Sequence, residues 1–300
     1  MLQLPAYSDP VESHADWLEY QALLQPGQLT SWISHQRDLL IGGTTDEAGS
    51  VDRAAEAIER LMEDVVAELS DRQSHCGGKD YYPFMLESGG ISFKSVTQGP
   101  SYVFQLVLTL LGERAGVERG ERLFEDLCAE ALYYYIGGDR GADRTAFGFP
   151  RRVLPPGFRD AVSALCGRMG EGQSAQDDAP ETSDQKDAYL DIVAWKDFPD
   201  RRPGKLIIFG QCATGQDWKR KYRDLQPSKW CSLWLNRMPT VTPVPAFFVP
   251  RRIERSYWRR ATSYGGIVFD RCRLAALTLE LPEDLSRRLH RWIAETVTGS

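Results

Sequence analysis

Asp191 opens on the apolar run Ile192-Val193-Ala194-Trp195, and Gln211 lies near the end of a second run, Leu206-Ile207-Ile208-Phe209-Gly210-Gln211-Cys212-Ala213. The intervening Asp200-Arg201-Arg202-Pro203-Gly204 has the composition of a tight connection, so the two runs read as the arms of a hairpin. Each arm carries an acid or an amide where a buried strand would normally place a hydrophobe. Adjacent strands hold opposing residues about 5 Å apart. A carboxylate and an amide oxygen so placed can share one hard divalent cation, which prefers oxygen ligands. Without such a partner, a buried Asp191 would carry a large desolvation cost.

The elements that must position this pair follow from periodicity. Ala54, Ala55, Ile58, Leu61, Met62, Val65, Val66 and Leu69 repeat at helical spacing with acids opposite, which predicts an amphipathic helix over 50–70. The first 40 residues read as two short helices broken at Pro26-Gly27. Residues 101–112 are apolar enough for a core helix. Residues 121–136 form a further helix stopped by Gly137-Gly138, and Glu125 sits beside its apolar stripe of Leu123, Phe124, Leu127, Ala131 and Leu132. A helix follows Pro155-Pro156-Gly157. Residues 173–187 are polar and acidic and read as a loop. A charged helical run over 217–225, strands at 245–250 and 265–270, and a final helix over 281–296 complete the order.

A hairpin with an acid on its first strand and a glutamine near the end of its second, preceded by a helix bearing a glutamate, resembles the PD-(D/E)XK nuclease superfamily. The resemblance covers roughly residues 118–275. It implies an α/β fold with a restriction-endonuclease-like core, a mixed sheet flanked by helices, preceded by a mainly helical N-terminal region. It divides the chain into residues 1–115, a region open to partner or substrate binding, and a nuclease domain over 116–300. By the same resemblance Asp191, Gln211 and Glu125 bind Mg2+ or Mn2+, and a lysine polarises the attacking water. That lysine usually lies two residues after the glutamine, where this chain has Ala213. Lys219 is the preferred substitute because Trp218 would anchor its helix beside the end of the second strand, with Lys221 and Lys196 as alternatives. The chemistry is consistent with such a site, since a hard cation both neutralises a scissile phosphate and generates hydroxide near neutral pH.

The expected function is therefore metal-dependent hydrolysis of DNA phosphodiesters, in a setting such as anti-phage defence or restriction by fold-level analogy alone. The alternatives are a catalytically inactive nuclease-like module that binds nucleic acid, and an interaction subunit whose N-terminal region docks a partner effector protein.

Composition bounds these readings. Three hundred residues suffice for a substantial core, and a net charge of -6 argues against a protein that coats nucleic acid indiscriminately. The charge is uneven, acidic over 46–71 and 176–187 and basic over 219–229 and 251–273, so a local basic face is open to an acidic chain. No window approaches the roughly 18 apolar residues of a membrane span, and the N-terminus lacks a secretory pattern, so a cytoplasmic protein is expected. The six cysteines are scattered without a CxxC pair and read as buried free thiols. No GxSxG or phosphate-loop motif is present, and Gly265-Gly266 leads into a strand rather than a helix.

Overall fold

The computed structural model describes residues 3–42, 48–112, 118–177 and 187–298. Helix α1 (Val11–Leu24) buries Ala15, Leu18, Ala22 and Leu23. Strand β1 (Leu29–Ser31) and helix α2 (Trp32–Gly42) follow the turn at Pro26-Gly27. Helix α3 (Ala48–His75) turns Ile58, Met62, Val65 and Leu69 inward, the stripe its periodicity predicts, and packs against α1 and α2. Strands β2 (Phe84–Glu87) and β3 (Gly90–Phe93) pair with β1 in a small antiparallel sheet of order β1-β3-β2, an element absent from the sequence reading. Gly90 permits this pairing, because a Cβ there would lie 2.1 Å from the Thr30 carbonyl oxygen. After one 3-10 turn, Val96–Gln98, come helix α4 (Pro100–Leu111), with proline at its start, and helix α5 (Gly120–Tyr135).

The central sheet begins with β4 (Ala142–Ala146). Helix α6 (Phe158–Met169), strands β5 (Ile192–Lys196) and β6 (Leu206–Cys212), helices α7 (Trp218–Lys221) and α8 (Pro227–Trp234), strand β7 (Val244–Phe248), helix α9 (Arg255–Gly265) and strand β8 (Ile267–Phe269) follow. Helices α10 (Arg271–Leu277) and α11 (Glu283–Thr298) close the chain. The five strands lie in the order β4-β5-β6-β7-β8. The pairs β4/β5 and β5/β6 are antiparallel, and β6/β7 and β7/β8 are parallel. The fold is thus α/β, with a mixed sheet flanked by helices. The charged run expected as a helix over 217–225 is helical only through α7, and 178–186 of the expected acidic loop lies outside the described residues.

Both faces of the sheet are covered, and strand alternation assigns residues to them. Ile192, Ala194, Ile208, Ala246, Phe248 and Phe269 pack with α4, α5, α10 and α11 in the main core. Val193, Trp195, Ile207 and Phe209 pack with α6 and α8 on the opposite face. Ala213, Trp218, Tyr222, Phe247 and Val268 form a third cluster beneath α9. The main core also takes in α1, α3 and the β1-β3-β2 sheet, so it runs continuously across residue 115. Phe104 of α4 meets Trp292 of α11 edge to face at 5.0 Å between ring centroids.

The same junction holds a buried ionic cluster. Arg72 of α3 donates to Asp16 at 2.6 Å and Glu19 at 2.9 Å on α1, and Arg271 of α10 grips both oxygens of Asp16. The Tyr82 and Tyr102 hydroxyls donate to Glu19. Burial alone would push the Asp16 carboxyl up, but the guanidiniums of Arg271 and Arg72 overcome it and hold it at about 2. Arg271 therefore serves the core, and Arg252 pairs with Asp270 at 2.8 Å and with Glu68. No described helix is long and apolar enough to cross a membrane, and the six cysteines are free thiols.

Candidate functional site

Asp191 immediately precedes β5, directly opposite Gln211 in register, since Ile192 pairs with Gly210 and the Asp191 N–H donates to the Gly210 carbonyl at 2.9 Å. Lying outside the strand, its side chain is free of the strand's alternation. One oxygen, Oδ2, accepts the Cys212 N–H at 2.7 Å. The other accepts no hydrogen bond from the described residues.

Glu125 reaches the same place from α5. It is 8 % exposed, and Oε2 takes a 2.5 Å ion pair from Arg122, three residues earlier on the helix, while Oε1 has no partner among the described residues. The chain between β4 and α6 closes over this pair. Gly148 donates its N–H to the Asp191 carbonyl at 3.1 Å, and a Cβ on Gly148 would lie 2.7 Å from Glu125 Oε2 and 2.8 Å from Arg122 Nη1. A larger residue there would require the ends of the Glu125 and Arg122 side chains to shift.

Electrostatics bind the two acids into one site. Burial pushes the Glu125 carboxyl up to about 7 despite Arg122, with Asp126 and Asp187 adding to the rise. Burial, then the negative charge of Glu125, raises Asp191 well above the usual carboxylate range, and the Cys212 N–H offsets only part of this. Two buried carboxyls that resist ionising together are stabilised by any cation they can share.

Gln211, expected to face one ion with Asp191, has its side chain engaged elsewhere. Its amide oxygen accepts the buried Leu225 N–H at 3.3 Å. By alternation it belongs with Ile207 and Phe209, whereas Cys212, in the main core, shares the α5 face. The physical reason is that residues opposite in register share a face only when both obey the pleat, and Asp191 sits just outside it.

Lys219 is likewise elsewhere. Trp218 is buried in the cluster with Ala213, as anchoring the helix start requires, but Lys219 Nζ pairs with Glu254 at 2.7 Å and lies over the Tyr257 ring at 4.6 Å. Lys221 pairs with Asp217 at 3.3 Å, and Lys196 donates to the Arg140 carbonyl. On the strand face turned to α5, the positions flanking Gln211 are Gly210 and Cys212, so no lysine stands there.

Arg122 and Gly148 lie outside the motif that marks Asp191, Gln211 and Glu125 in the sequence. Arg122 was accessible from its i, i+3 spacing to Glu125; Gly148 needed the loop's path. As a cation site, the arrangement offers one unengaged oxygen from each of two carboxylates. That suits Mg2+, which keeps several waters and is often held through one or two carboxylates. Among the described residues, no group of three or more His, Cys, Asp or Glu side chains is placed to hold a metal. Compared with protein-family models, with curated proteins and with solved structures, the chain matches none.

Proposed function

We propose that the chain is a divalent-cation-dependent nuclease whose centre is reduced to Asp191 and Glu125. The observation that carries this reading is the charge-frustrated carboxyl pair, each member with a free oxygen, delivered by a helix and by the start of the second strand of an antiparallel β4-β5-β6 meander joined to parallel β7. A helix glutamate ahead of a hairpin that opens on an acid, in a mixed sheet flanked by helices, is the order the PD-(D/E)XK resemblance implies. Mg2+ or Mn2+ would be held by Asp191 and Glu125 and would supply phosphate neutralisation and a metal-activated water. Gln211 and Lys219 take no part. Arg122, ion-paired with Glu125 at 2.5 Å, is a cation the chain itself places at the pair.

The test is incubation of the purified protein with single-stranded and duplex DNA, with Mg2+, Mn2+ or EDTA, beside Asp191→Asn and Glu125→Gln. Cation-dependent cleavage lost in both variants supports the reading. Cleavage that survives both substitutions, or no cleavage in any arm, overturns it.

Cys212 favours a second reading. It occupies the strand face where an activating lysine would serve Asp191, and burial raises its thiol well above the usual range. A scaffold that binds nucleic acid or a partner effector without cutting would show a cation-induced rise in thermal midpoint and no cleavage product.

A further inference from the structure

Residues 217–273 hold thirteen lysines and arginines against four acids, in a chain whose net charge is -6. Outside this segment, Arg72, Arg122, Arg144, Arg152 and Arg288 each pair with a carboxylate. In this segment Arg220, Arg223, Arg259, Arg260 and Arg273 extend guanidiniums with no carboxylate partner among the described residues. Unpaired like charges are costly to gather unless an anionic ligand is to meet them.

Helix α9 organises them. Ala261 and Gly265 are its buried stripe. Helical spacing places Tyr257, Arg260 and Tyr264 on one flank of that stripe and Arg255, Trp258 and Arg259 on the other. On the first flank Arg223 lies 3.9 Å over the Tyr264 ring, and Tyr264, 50 % exposed, stacks on Tyr222 with ring centroids 5.8 Å apart. Arg260 and Lys219 both cover Tyr257. On the second flank Arg273 lies 4.4 Å over Trp258, at the wall of a cavity of about 810 Å³ that Arg255, Arg259, Tyr135 and Phe269 also line. Both flanks therefore alternate a cation with an aromatic face. Such alternation suits a ligand that alternates anionic phosphate with planar base, and only a single strand presents its base faces for stacking.

We infer that α9, with Arg223 and Arg273, is a binding face for single-stranded nucleic acid. Between α9 and α5, the Arg251 guanidinium reaches the Thr214 carbonyl at 3.3 Å, and the Thr214 hydroxyl reaches Glu121, one turn before Glu125, at 3.4 Å. The inference deepens the nuclease reading by naming where the strand lies, and it is testable without cleavage.

Fluorescence anisotropy in EDTA, with labelled 20-nucleotide single strands of DNA and of RNA and a 20-base-pair duplex, provides the test. The single strands are expected to bind more tightly than the duplex, and the DNA and RNA arms show which backbone is preferred. Arg223→Ala with Arg260→Ala, and separately Tyr264→Ala, should each weaken binding at least about tenfold, while Arg152→Ala, remote from α9, should not. Duplex preference, no binding, or a double variant that binds like wild type overturns the inference. An effect of the arginines with none of Tyr264 also overturns it and points to an acidic protein surface instead. Binding without cleavage leaves this face standing and sinks the nuclease reading; cleavage with binding indifferent to these variants does the reverse.

Discussion

Asp16 and Arg271, separated by 255 positions, meet in a two-pronged ion pair with Nη1 at 2.7 Å from Oδ1 and Nη2 at 2.9 Å from Oδ2. Neither side chain has appreciable solvent contact. Removing one member leaves the other charged and buried, which costs about 3–5 kcal/mol. Asp16→Asn is accordingly expected to lower unfolding free energy by roughly 3 kcal/mol in urea titration. With its carboxyl held at about 2, Asp16 contributes stability that is complete above its ordinary value of 3.8 and is lost as pH falls through about 2. The wild-type advantage over Asp16→Asn should shrink in that window; an advantage that stays constant down to pH 2 would contradict this.

Gln211 and Asp191 should part company experimentally. Gln211→Ala removes the acceptor of a buried N–H and should cost about 1–2 kcal/mol while leaving any Mn2+-induced rise in thermal midpoint intact. Asp191→Asn should abolish that rise. Differential scanning fluorimetry with a Mn2+ titration decides, and a cation response lost in Gln211→Ala would restore the amide to the site.

A second pH effect comes from the N-terminal region. His14 Nδ1 and His35 Nε2 meet at 3.2 Å with both rings buried, and Trp17 stacks on His35. Burial, then the neighbouring His14, lowers His35 to about 4, and burial lowers His14 as well, with Asp9 opposing. Both groups bind protons more readily unfolded than folded. Stability from this pair is therefore full above about pH 6.5 and lost as pH falls toward 4. His35→Gln should flatten the decline between pH 6.5 and 4, measured by thermal midpoint.

The thiols should be inert in the native state. Burial pushes Cys166 and Cys231 each up to about 12, and the thiolate is the reactive form. Iodoacetamide at pH 8 is expected to leave both unmodified in folded protein and to alkylate both in 6 M guanidinium, as read by peptide mass. Labelling of either in the native protein would be inconsistent with its burial.

The parts legible in the sequence were those with strong periodicity or a strong stop. Helix α3 was visible in Ile58, Met62, Val65 and Leu69, and α5 in its stripe and Gly137-Gly138. The β5-β6 hairpin was visible in its two apolar runs. Strand β4, Ala-Asp-Arg-Thr-Ala, was not, because it lies at the sheet edge and has no hydrophobic alternation. The orientation of Gln211 escaped for a related reason. Strand β6 is apolar on both faces, so its pattern carries no record of which residues look toward α5. Glu125 was found because a helix stripe has a definite side. The face on α9 was half legible, since the basic count was plain but the interleaving of Tyr257, Arg260 and Tyr264 needed the helix.

The core that continues across residue 115 has a practical reach. A fragment beginning at residue 118 would keep the whole five-stranded sheet yet leave Trp292 without Phe104, and Arg271 stranded without Asp16. The complementary piece would expose the apolar side of α4. Expressed separately, each half should precipitate; expressed in the same cell, they should assemble as obligate subunits of a heterodimer, because Phe104–Trp292 and Asp16–Arg271 each join the two halves across the cut.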